Sequence, residues 1–175
     1  MNPLLNRFIQ ICLFKSGPED LPKSTFLLMF AFVGYGLAGL LLSLSQSDLK
    51  TAILMVLVDI ILLAILGYLL LTICTMTERY IQTLTALAGS SALLAFVAWP
   101  LVLWQQQATN NSESNGMLLL VSLLLWGWFF WNLSVFSHII RQAISTRLPI
   151  GVGLAVLYMY ISFTISKALF YPVTP

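Results

Sequence analysis

Charge is what this sequence has least of. Of its 175 residues, 8% are Asp, Glu, Lys or Arg, against about 25% in an ordinary soluble domain. A water-soluble fold of this size could not hide the apolar surface that remains. The net charge of +2 is small and scattered, with no basic tract, so nucleic acid is excluded as a partner. There is a single histidine, which rules out haem held by two axial histidines, and no Cys/His set is present for a metal. The two cysteines, Cys12 and Cys74, lack CxxC spacing and read as small apolar fillers. Catalytic signatures are missing as well: there is no GxxxxGK, HExxH or GxSxG. Hydrolysis by paired aspartates would need two within apolar runs, and only Asp59 is so placed. The expectation is a non-enzyme with no cofactor and no metal.

What is present is hydrophobic length. Apolar residues make up 59% of the chain and the mean hydropathy is +0.95. Five runs approach or exceed the roughly 20 residues that a helix needs to cross about 30 Å of hydrocarbon. The predicted spans are 25–44, 52–74, 81–104, 117–138 and 150–171. Lipid offers no partner to a free backbone amide, so each should be helical. None shows the alternation of a β-barrel strand. The fold class expected is therefore all-α: a polytopic membrane protein with five transmembrane helices in one bundle, 24–175. Ahead of it, residues 1–23 form a cytoplasmic segment. There Leu4, Leu5, Phe8, Ile11 and Cys12 repeat at helical spacing and predict a short helix lying in the membrane interface. The polar stretch from Gln105 to Gly116 predicts a mobile connector.

Positive charge sorts by side. Arg7, Lys15, Lys23, Arg79, Arg141 and Arg147 fall on one face of the predicted topology, and Lys50 and Lys167 on the other. The positive-inside rule then puts the N-terminus in the cytoplasm and the C-terminus outside. The short connectors point to a bacterial inner membrane.

One residue breaks the apolar pattern. In "MVLVDIILLAIL" Asp59 lies about seven residues inside its span, roughly 10 Å deep. An aspartate near a helix centre costs about 2.5–3.5 kcal/mol on insertion scales. The span's fifteen Leu, Ile and Val residues, at about 0.3–0.6 kcal/mol each, outweigh it. The carboxyl group still needs a partner. Lys167 on the last span is the first candidate, as an ion pair. Ser162 and Ser166 at overlapping depth, and the Trp126 indole, are candidate donors to a protonated or hydrogen-bonded Asp59. Two roles compete: fixing helix packing, or serving as the site of a small transporter or channel.

The other distinctive stretch is "WGWFFWNLSVFSHIIR", 126–141. Trp128, Trp131 or Asn132, Val135 and His138 recur at spacings of three to four and form a candidate face for a partner helix, a lipid or a quinone. Small residues four apart mark expected helix contacts: Gly34 with Ala38, Ala88 with Ala92, Ser91 with Ala95, and Gly151 with Ala155.

The segment "GPEDLPKSTF", 17–26, leads from a cytoplasmic tail into the first span. With Asp20, Leu21 and Pro22, and with five spans over 17–171, the chain resembles the Yip1-like membrane proteins. That resemblance implies an interaction or organising role, with membrane proteins or small GTPases as the partners of known members, and no catalysis. The expected function is thus a subunit, assembly factor or organiser of a membrane complex. A partner membrane protein or a second copy of the chain would share its lipid surroundings.

Overall fold

The computed structural model describes residues 3–110 and 115–170. Six α-helices occupy most of them: α1 (Pro3–Cys12), α2 (Thr25–Leu44), α3 (Leu49–Ile73), α4 (Tyr80–Asn110), α5 (Asn115–Ala143) and α6 (Leu148–Phe170). All but α1 are long and apolar enough to cross a membrane. The all-α class and the five long helices agree with the sequence reading. Tyr171, where the last span was expected to end, lies outside the described residues.

Local chemistry sets the helix ends. Ser24 and Asp48 accept the Leu27 and Thr51 N–H groups at the starts of α2 and α3, satisfying donors that a helix leaves orphaned. Helices α1, α3 and α5 stop alike, with Phe14, Thr75 and Ser145 in the left-handed region at φ 61, 58 and 51. In each case the next residue's N–H reaches back to the carbonyl five earlier, as in Lys15 to Gln10, Met76 to Leu71 and Thr146 to Arg141. This is the Schellman ending, made here without glycine. Arg79 reinforces the last of them: its Nη1 donates to the Gln142 and Ala143 carbonyls at 3.2 and 3.3 Å.

The long helices form a ring in which α2 packs on α4, α4 on α5, α5 on α6, α6 on α3 and α3 on α2. The small-residue pairs lie at these contacts. Ala38, Ala92 and Ala95 are buried where α2 meets α4, and Ala88 is buried in the larger core cluster. Gly151 sits so close to α5 that a Cβ there would lie 2.9 Å from the Ser137 carbonyl oxygen. Much of the remaining apolar surface, such as Phe26, Met29, Ile73 and Phe163, faces outward.

Two expectations change. Residues Gln105–Asn110 are not a connector but the last turns of α4. Gln and Ala are good helix formers, and Gln106 Nε2 donates to the Ser45 carbonyl at 2.5 Å, so the polar turns have a structural anchor. The centre of that connector, 111–114, is outside the described residues. Secondly, α1 does not offer its apolar face to lipid alone. Phe8, Ile11 and Cys12 are buried against α4 and α5, with the Phe8 ring over Gly89, where no Cβ intervenes. The 17–22 segment follows it down: Pro18 and Leu21 are buried, and Gln82 Nε2 donates to the Leu21 carbonyl at 2.6 Å.

Burial has a chemical consequence at Cys12, whose thiol is pushed up to about 11 from 9.0. The folded state therefore holds more protons than the unfolded one between these values. Whatever stability Cys12 lends is complete below pH 9 and is lost as the pH rises towards 11. A maleimide at pH 8 should label Cys74, which is only partly buried, while Cys12 reacts about a hundredfold slower than an unburied thiol. Equal labelling of both, followed by mass spectrometry of peptides, would contradict this packing of α1.

Candidate functional site

Asp59 finds its partners through the α2–α3 hairpin. Tyr35 lies nine residues before the end of α2 and Asp59 ten after the start of α3, so the turn between them sets both at one depth. Glycines bring the helices together: a Cβ on Gly39 would lie 3.2 Å from Val56 Cγ2, and one on Gly36 3.6 Å from Ile60 Cδ1. The Tyr35 hydroxyl then donates to Asp59 Oδ2. Ser162, eight residues before the end of α6, donates to Oδ1 at 3.2 Å. Each carboxylate oxygen has one donor, and the three groups lie about 12–15 Å from their helix ends.

This cluster belongs to a cavity of about 740 Å³ to which all five long helices contribute. Its size lies within the range of ordinary ligand pockets, about 300–1,000 Å³. Ser91 and Asn132 add polar groups, while Trp128, Phe129, Phe136 and Tyr158 supply aromatic wall. Ser43, Ser166 and Lys167 line it nearer the helix ends, on the side of the bundle away from α1. The Phe136 and Tyr158 rings stack at 4.7 Å. The Tyr158 hydroxyl is buried with no hydrogen-bond partner among the described residues, a condition that ordinarily costs free energy.

The candidates drawn from sequence are distributed as follows. Ser162 reaches Asp59. Ser166 lines the same cavity one turn further out. Lys167 corrects the expected ion pair: it is exposed and lines the cavity, and both Asp59 oxygens are held by hydroxyls instead. Hydroxyl donors satisfy the carboxylate without burying a second ion, which avoids its desolvation cost. Trp126 is also corrected. It is 60% exposed, packed edge-on to Phe129 at 5.8 Å, and its indole is not among the donors to Asp59.

The 128–138 stripe divides. Trp128 and Asn132 line the cavity, and the Trp128 Nε1–H donates to the Leu94 carbonyl at 2.9 Å. Trp131 and His138 instead meet Phe14, at ring separations of 5.8 and 5.3 Å. His138 Nε2 lies 3.2 Å from the Ser16 carbonyl oxygen. Half of the candidate partner face thus meets the chain's own N-terminal segment, with Trp131 still 45% exposed.

Tyr35 and Tyr158 were missed in the sequence. Their signal was depth: each lies inside an apolar helix at the level of Asp59. Tyr35 stands between Gly34 and Gly36, and the close α2–α3 contact at Gly36 and Gly39 positions its hydroxyl. No family model, curated protein or solved structure matches the chain. The Yip1-like resemblance therefore rests on residues 17–26 and the helix count.

Proposed function

We propose that this is a non-catalytic integral membrane protein that binds a small ligand bearing a positive group inside its five-helix bundle, as a carrier or transporter. The observation that carries the reading is a carboxylate lining a 740 Å³ aromatic-walled cavity, held by two hydroxyls and by no cation among the described residues. Inside a membrane a carboxylate is costly to bury and is a functional-site candidate by default. Aromatic faces beside it favour cations further. The six basic residues at the α1 end of the bundle, against two at the other, favour a cytoplasmic N-terminus by the positive-inside rule, and with it a cavity that opens to the outer side of a bacterial inner membrane.

Dodecylammonium tests the reading in detergent-solubilised protein, with tryptophan fluorescence as the signal. Asp59→Asn should weaken binding at least tenfold, while Asp59→Glu retains most of it. Equal affinity for the wild type and Asp59→Asn would defeat the proposal.

A second reading, a subunit or organiser in a membrane complex, is favoured by one observation. Trp126, Phe129 and Phe130 form an outward aromatic cluster on α5, of the kind that seats a partner helix or a second copy. Loss of a co-purifying membrane protein or of dimers on Trp126→Ala would support it.

A further inference from the structure

Resting on the reading of Asp59 as a cation site, we infer that the ligand is zwitterionic: an ammonium group at Asp59 with a phosphate or comparable anion beside it, met by Lys167. Among the described residues lining the cavity, Asp59 is the one acid and Lys167 the one base. They share a cavity without pairing with each other, so each retains capacity for a partner. Asp59 accepts one hydrogen bond on each oxygen of the roughly four that a carboxylate can take. The two free lone-pair sites take two of the three N–H donors of a primary ammonium. The Tyr158 hydroxyl beside them, without a partner among the described residues, would accept the third.

Distance sets the second half of the ligand. Lys167 follows Ser162 by five residues, about 7.5 Å along α6. Its ammonium, on a flexible stem, serves an anion a few bonds from the ligand's own ammonium. Ser166 and Ser43 put further hydroxyl donors on the same outer part of the wall. A simple organic cation would meet Lys167 as a like charge near the helix end, and a simple anion would meet Asp59 deeper in. Only a molecule carrying both signs in this order satisfies both ends. An ethanolamine phospholipid headgroup and a small soluble zwitterion share this chemistry.

The test compares four probes on the detergent-solubilised full chain: lysophosphatidylethanolamine, lysophosphatidylglycerol, dodecylammonium and free phosphoethanolamine. Lysophosphatidylethanolamine should bind at least tenfold tighter than dodecylammonium or lysophosphatidylglycerol. Lys167→Gln should abolish that advantage and strengthen dodecylammonium binding, because a like charge has gone. If the advantage is absent, or survives Lys167→Gln while Asp59→Asn still weakens dodecylammonium, the zwitterion inference fails and the cation site stands. Should Asp59→Asn leave every probe unaffected, the cation site fails too. Binding of free phosphoethanolamine as tight as that of the lysolipid identifies a soluble zwitterion as the ligand; binding of the lysolipid alone identifies a lipid headgroup.

Discussion

Replacing Gly89 with valine is expected to detach α1 from the bundle. A Cβ at this position would lie 2.2 Å from Phe8 Cε1, with two more ring carbons at 2.7 Å. That ring is stiff, and its neighbours Ile11 and Leu21 are fully buried, so it has nowhere to move short of leaving. The loss should approach that of removing the ring outright, about 3–5 kcal/mol for a buried Phe→Ala. Trypsin reads it: cleavage after Arg7 and Lys15 should accelerate at least tenfold in Gly89→Val and in Phe8→Ala. The Phe8→Ala/Gly89→Ala double variant should be no worse than Phe8→Ala alone, since the methyl then fills part of the vacated space. Wild-type cleavage rates in Gly89→Val would show that α1 does not depend on this notch.

That notch explains why one part of the fold was legible in sequence and another was not. The five long helices follow from hydropathy, because a run of some twenty apolar residues has few other stable forms. The α1 helix was visible in the spacing of Leu4, Leu5, Phe8, Ile11 and Cys12. Its seat was not, because Phe8 needs a glycine more than 80 residues away and one glycine in an apolar helix carries no label. Asp59 stood out by its chemistry, and Ser162 by depth. Of the two arrangements expected for Asp59, an ion pair with Lys167 or hydrogen bonds, the structure has the hydrogen bonds, because depth outweighs opposite charge. Tyrosine can donate from within the apolar layer, whereas a lysine stem runs to its edge.

Replacing Asp59 with leucine is expected to make the protein more stable and unable to bind its ligand. On insertion scales the change moves a mid-helix position from about +2.5–3.5 to about −0.5 kcal/mol, a gain of roughly 3–4 kcal/mol. Against this stand two lost hydrogen bonds, about 1 kcal/mol each. Ser162 can turn to the carbonyl four residues earlier, as Thr164 does on the same helix. The Tyr35 hydroxyl keeps access to the cavity that it lines. The balance favours leucine by about 1–2 kcal/mol, readable as a higher melting temperature in detergent. A packing role for Asp59 demands the reverse. If the Tyr35–Asp59–Ser162 cluster fixes the helices, Asp59→Leu must lower the melting temperature, and Asp59→Asn, which keeps one acceptor and offers the other hydroxyl a donor, must lower it less. A stabilised Asp59→Leu that no longer binds dodecylammonium would mean that the carboxylate is kept at a cost to the fold, as functional groups commonly are. A destabilised one would return Asp59 to architecture and leave the cavity without its anchor.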